Sequence, residues 1–169
     1  MRQSVFLGAF ALLLVVGSGA ARAREESVPV DKIPKKVMDA LLSKFPKAKI
    51  DKCTKAKEGD DVVYDVEFHQ QSGRKGEADI KEDGTFINYE KEIDAKDLPK
   101  AVRAAIEKKY PKSTLKEVME ETEVKGKEEK LSAYEVIVVT ADKEEVEVRV
   151  SPEGKILEDS GKKKDEDKK

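Results

Sequence analysis

The 169-residue chain predicts an α+β fold: a tandem repeat of one helix plus four antiparallel strands, forming an extended antiparallel sheet with both helices on one face. Three observations predict it. Ile33-Pro34-Lys35-Lys36-Val37 returns 65 positions later as Leu98-Pro99-Lys100-Ala101-Val102, and Lys44-Phe45-Pro46-Lys47 returns as Lys109-Tyr110-Pro111-Lys112. Seven of the fifteen positions from 33 to 47 are identical to their partners, where ordinary residue usage gives roughly one or two. After each such stretch the apolar period changes from near four to two, the change from helix to strand.

Within each copy the elements follow in order. Val37, Leu41 and Phe45 share one helical face, as do Val102, Ala105, Ile106 and Tyr110. Pro34 and Pro99 suit the first helical turn, and Pro46 and Pro111 end the helices by forcing the preceding residue out of helical geometry. A weaker strand follows, around 50–56 and 115–122. Val62, Tyr64, Val66 and Phe68 then alternate with Val63, Asp65, Glu67 and His69, a strand with one buried face. Gly76, Ala78 and Ile80 continue the alternation, and Asp83-Gly84 turns into Phe86-Ile87-Asn88-Tyr89. The second copy repeats this with Tyr134, Val136 and Val138, then Val146, Val148 and Val150, and a turn at Glu153-Gly154 into Ile156-Leu157. Here the offset is 70, because copy two has five more residues between its first two strands, where it turns through 123–130 centred on Gly126 and copy one through 57–61. Loops carry specificity on many scaffolds; neutral drift is the other reading of that difference. The units are placed at 30–93 and 94–159.

Before them, Val5 to Val16 is an apolar run behind Arg2, leading to Ala21-Arg22-Ala23, an A-x-A cleavage pattern. The run spans about 18 Å as a helix, short of a ~30 Å bilayer core, so residues 1–23 read as a signal peptide cleaved after Ala23 rather than as an anchor. The mature protein is expected in the periplasm or secreted, with no membrane contact once the signal is removed. Removal of Arg2 and Arg22 leaves 32 basic residues against 36 acids, net −4, which argues against nucleic acid. With 41% charged residues and no tryptophan, only one face of each element is expected to be core. Residues 160–169, nearly all charged, are expected to be disordered.

The inventory offers little chemistry. Cys53 is the single cysteine and stands where copy two has Val118, the mark of a small buried hydrophobe; a redox thiol or an intermolecular disulfide is the functional alternative. His69, the single histidine, aligns with Val139 on the polar side of its strand. Neither a metal cluster nor a nucleophile–base pair is readable, so no enzyme activity and no cofactor is expected. Asp79, Asp83, Gly84 and Glu90 have the spacing of positions 1, 5, 6 and 12 of a calcium loop, but Lys81 takes position 3 and the flanks alternate as strands.

The pattern L/I-P-x-x-V, then F/Y-P, then Y-[DE]-V, then [DE]-G-x-[IL] resembles the PepSY-like, or β-lactamase-inhibitor-like, family of small periplasmic proteins. Ile33, Pro34, Val37, Phe45, Pro46, Tyr64, Val66 and Gly84 carry it first. Leu98, Pro99, Val102, Tyr110, Pro111, Tyr134, Val136 and Gly154 carry it again, so that it covers roughly 30–158. The resemblance implies a tandem fold whose open sheet face binds a protein.

That face is expected to present Asp65, Glu67, His69, Glu77, Asp79 and Lys81 in copy one, and Glu135, Glu145, Glu147 and Arg149 in copy two. Ile137 and Val139 make their strand apolar on both sides. Exposed, they form a sticky patch rimmed by charge; covered, they are core. The expected function is an exported, non-catalytic protein-binding module, an inhibitor or regulator of a periplasmic enzyme. Its partner-binding residues are Glu135, Ile137, Val139, Glu147 and Arg149, with the hairpin at Gly126. The alternative is an envelope structural or sensing protein that binds cations weakly through its acidic strand faces.

Overall fold

A computed structural model describes residues 25–161. The expected signal peptide lies outside them, as does the expected charged tail except for Ser160 and Gly161. Those two are held rather than disordered: the Ser160 N–H donates to the Glu147 carbonyl at 3.0 Å, and the Gly161 N–H to Asp159 Oδ1 at 2.8 Å.

The described residues form an α+β fold with two helices and one nine-stranded antiparallel sheet. The strands are β1 (Glu26–Ser27), β2 (Lys49–Glu58), β3 (Asp61–His69), β4 (Lys75–Lys81), β5 (Phe86–Glu92), β6 (Thr114–Lys125), β7 (Glu128–Val139), β8 (Glu145–Val150) and β9 (Ile156–Asp159). Each pairs with its neighbours in chain order, a meander without crossovers. Helix α1 (Lys35–Lys44) precedes β2 and α2 (Lys100–Lys109) precedes β6. The extra strand, β1, extends the sheet beyond the eight expected, with Glu26 opposite Lys55 and Ser27 opposite Thr54. Two residues carry no periodicity, so pairing with an available edge decides their conformation.

Both helices are bounded by proline. Pro34 and Pro99 are N-caps, one place before the expected first turn, and their carbonyls accept from Met38 (3.1 Å) and Arg103 (3.0 Å). Phe45 and Tyr110, the residues before the second prolines, leave helical geometry at φ −121°, ψ 77° and φ −122°, ψ 73°. Gly84 and Gly154 sit at φ +93° and +88° over the first helical turns. A Cβ on Gly84 would lie 3.0 Å from the Lys36 carbonyl oxygen, and one on Gly154 2.6 Å from that of Ala101, so only glycine lets each turn approach its helix this closely.

Two apolar clusters result. Val37, Leu41 and Phe45 pack with Cys53, Tyr64, Val66, Phe68, Ala78, Ile80 and Tyr89. The Phe45 ring lies 4.7 Å from Phe68 and 5.6 Å from Tyr89. Val102 and Ile106 pack with Val118, Tyr134, Val136, Val138, Val146, Val148 and Val150. The hairpin of β6 and β7 joins them. The stretch 123–130 is not a loop: its ladder continues to Lys125 opposite Glu128, leaving only Gly126 and Lys127 at the tip. From that ladder Val124 packs against the first cluster, while Glu129 accepts from Lys44 Nζ at 2.5 Å and from the Tyr89 hydroxyl at 2.7 Å.

Cys53 faces Val66 across the β2–β3 ladder and Val118 faces Val136 across β6–β7, each inside its own cluster. At 1% exposure, burial pushes the Cys53 thiol up to about 11, far from the thiolate form that reacts. Cys53 is therefore expected to resist thiol reagents until denaturant is added, and Cys53→Val to change stability by less than ~1.5 kcal/mol. Rapid labelling of the folded protein, or a larger loss in urea unfolding, would count against this packing.

Candidate functional site

Strand β7 is apolar on both sides toward its end, and its ladders decide what surrounds Ile137 and Val139. Ile137 lies between Glu117 of β6 and Glu147 of β8, and Val139 between Thr114 and Glu145. Both side chains are half-buried, neither exposed as a bare patch nor part of either core cluster. Glu135 lies between Met119 and Arg149. The register thus gathers Glu135, Ile137, Val139, Glu147 and Arg149 on two adjacent strands. Gly126 is apart from them: it turns the far tip of β6–β7, nine residues from Glu135, about 30 Å at strand rise.

Arg149 is engaged within the chain. Its guanidinium meets Glu121 in a two-pronged contact, 2.5 Å through Nε and 2.7 Å through Nη2, and reaches Glu158 at 3.2 Å. These bonds, led by the one to Glu121, hold its proton more tightly still. Burial pushes the Glu135 carboxyl up to about 8, helped by Glu147 and Glu121, and burial also raises Glu147. A nearly desolvated carboxyl beside an apolar pair and a fixed guanidinium can hydrogen-bond and pack. It has no nucleophile to activate.

The expected exposure of the acidic face is corrected more sharply in the first half. Asp79 and Glu90 are 5% and 3% exposed, and Glu121 5%. Burial raises Asp79 to about 7 and drives Glu77 and Glu90 well above the usual carboxylate range. Glu90 and Glu121 belong to this face but were not among its expected residues. The polar alternation Asn88, Glu90, Glu92 was the available signal. That Glu90 lies between Glu77 and Glu121 follows only from the strand pairing. The calcium-like spacing falls on this β4–β5 hairpin, where Asp83 Oδ1 accepts from the Thr85 N–H at 2.9 Å as a turn contact. His69 is half exposed, its Nδ1 2.5 Å from Asp51 Oδ2, and alternation places it on the opposite side of β3 from Val66, the partner of Cys53.

Compared with known proteins, the chain matches the family model described as "Putative beta-lactamase-inhibitor-like, PepSY-like" in two overlapping segments, residues 20–87 and 62–158. No catalytic family is indicated. No curated protein matches. Among solved structures, a BLIP-like protein from Bacteroides fragilis is similar with TM-score 0.50 at 22% identity, over 75% of this chain and 84% of that one. A structure of "putative periplasmic proteins" from Bacteroides eggerthii is similar with TM-score 0.56 at 15% identity, over 75% and 86%. A DUF2874 family protein from Bacteroides uniformis is similar with TM-score 0.54 at 18% identity, over 75% and 87%. At these identities the likeness concerns the fold. Among the described residues, no helix is long and apolar enough to cross a membrane.

Proposed function

The chain belongs to the PepSY-like, beta-lactamase-inhibitor-like family, and on that premise we propose that it is an exported, non-catalytic module that captures a protein on the strand face opposite its helices. In this reading units 30–93 and 94–159 stand in tandem, with both helices on one side of the sheet. The register supports that placement: Val66 faces Ala78, Ala78 faces Tyr89, and Tyr89 faces Thr122. Alternation along β6 sets Val118 on the same side as Thr122, and Val118 faces Val136 beneath α2. The periplasm is the proposed compartment, and inhibition or regulation of a periplasmic enzyme the proposed form of the activity.

The observation that carries the reading is the apolar pair Ile137 and Val139, which lies outside both cores and is flanked by Glu117, Glu145 and Glu147. Burying two such side chains against a partner contributes roughly 1.5–3 kcal/mol each, enough to anchor a modest interface rimmed by Glu135, Glu147 and Arg149. The tip at Gly126 would serve as a separate, peripheral contact. The mature chain, used as bait on periplasmic extract, is expected to retain a specific protein that Ile137→Asp with Val139→Asp loses, with thermal unfolding still cooperative. Unfolding of the double variant would instead mean that β7 is covered within the chain.

The buried carboxylates of β4 and β5 favour a second reading, an envelope structural or sensing protein that binds cations through its acidic faces. Calorimetric titration with calcium separates the two, because a saturable site below ~1 mM belongs to the second.

A further inference from the structure

Across the middle of the sheet, four glutamates stand side by side. Glu67 faces Glu77, Glu77 faces Glu90, and Glu90 faces Glu121; beside them Asp65 faces Asp79. Like charges directly opposite one another destabilise a sheet. Among the described residues, cations make direct contact with the row at its two ends. Lys52 Nζ lies 2.6 Å from Glu67 at one end, and Arg149 grips Glu121 at the other. Between them Asp65, Glu77, Asp79 and Glu90 each keep one buried oxygen without a hydrogen-bond partner. The other oxygen of Asp79 accepts from the Asn88 amide at 2.9 Å.

The second half resolves the corresponding place differently. There Glu135 faces Arg149, an acid opposite a guanidinium. Seventy positions earlier the pair is Asp65 opposite Asp79, two acids and no cation. The shared architecture therefore accommodates a guanidinium at this register, and the first half does not supply one.

We propose that Asp65, Glu77, Asp79 and Glu90 receive an arginine side chain presented by the bound protein, an inference that rests on reading this face as the protein-binding one. A metal ion fits the row less well, since among the described residues no three His, Cys, Asp or Glu side chains are gathered to hold one. A guanidinium spreads five N–H donors over a plane and bonds oxygens of separate carboxylates, as Arg149 does with Glu121 and Glu158. Asp65 and Glu77 keep partial exposure, which is where an incoming side chain would first meet the row. Because these carboxylates are already largely out of water, an arriving guanidinium gains its contacts with little further desolvation of its acceptors. Its arrival also displaces the protons that burial makes them hold.

The test is calorimetry of the mature chain with a short three-arginine peptide, in two buffers of different ionisation enthalpy, with the citrulline peptide as uncharged isostere. Saturable one-to-one binding with proton release is expected, at least tenfold weaker for the citrulline peptide. Glu77→Gln with Glu90→Gln should weaken it at least tenfold. Glu128→Gln with Asp142→Asn, exposed acids with the same change of charge, should leave it within twofold. Asp65→Asn gives a second route should the first double variant misfold. Equal loss in both double variants would reduce the effect to net charge and overturn the proposal, as would a lack of saturation or one calcium ion binding without competition from the peptide. A captured partner that ignores Glu77→Gln with Glu90→Gln but is lost with Ile137→Asp and Val139→Asp would sink this inference and leave the binding module standing. Peptide binding with no captured protein would do the reverse.

Discussion

Leu41→Ala is expected to cost about 2–5 kcal/mol in urea unfolding, and Ile106→Ala about the same. Both side chains are sealed, at 0% and 1% exposure, each at the centre of a helix stripe that closes one apolar cluster. Removing three carbons there forfeits their transfer from water and leaves a cavity. Its neighbours, among them Phe45 held at 4.7 Å against Phe68, can only partly fill it. The two sites lie in different clusters, so their costs should add to within ~0.5 kcal/mol in the double variant if the sheet unfolds as one unit. A loss below ~0.5 kcal/mol at either position would mean that the helix presents another face. Marked non-additivity would mean that the halves unfold separately or share more than the β6–β7 hairpin.

Stability should fall as pH rises from about 4.5 to 8. The sign follows from which state holds the proton. Folded Asp79 keeps its proton up to about 7, because burial opposes its charge, whereas the unfolded chain releases it near 3.8. Between those values the folded state binds more protons than the unfolded one, so raising the pH favours unfolding. The stabilisation is complete below the lower value and is lost as pH passes the upper. Glu135, raised to about 8, acts in the same sense. At ~1.4 kcal/mol per tenfold difference in proton affinity, Asp79 alone accounts for a fall of about 2–4 kcal/mol. Glu129, which Lys44 and Tyr89 hold below its usual range, acts oppositely, and only under about 4.5. Asp79→Asn should flatten the slope, and Glu90→Gln should raise stability at pH 8, since each removes a charge the interior disfavours. A wild-type stability that climbs from pH 5 to 8 would show that solvent reaches the row freely.

The helices were legible because their signals are local. Pro34 with Pro46, and Pro99 with Pro111, enclose eleven residues, of which the last is barred from the helix by the proline after it. The four-residue spacing of Val37, Leu41 and Phe45 names the buried face. Strand alternation was legible for the same reason: Tyr64, Val66 and Phe68 are inside as their period requires. The hairpin at 123–130 misled because its charged composition looks like a loop. Long-range contacts to Lys44 and Tyr89 are what hold Glu129 in a ladder. Ile137 and Val139 were legible as an anomaly, but their surroundings come from other strands: Glu117 and Glu147 beside Ile137, Thr114 and Glu145 beside Val139.

By itself the sequence determined the helix limits, the helix-facing residues of β3, β4, β7 and β8 and the repeated motif that marks the family, because each depends on steric and periodic rules acting over a few residues. Val63, expected on the polar side of β3, is buried at 4% exposure by neighbours the period does not reveal. Only the tertiary structure decided that Glu67, Glu77, Glu90 and Glu121 stand in one row and that Asp79 and Glu90 are shut from water. Which acid faces which depends on pairing register, and that is set by bulges such as the ones at Asp79/Ile80 and Glu121/Thr122. How deeply a carboxylate is buried depends on neighbours drawn from distant parts of the chain, and a period of two carries no information about them.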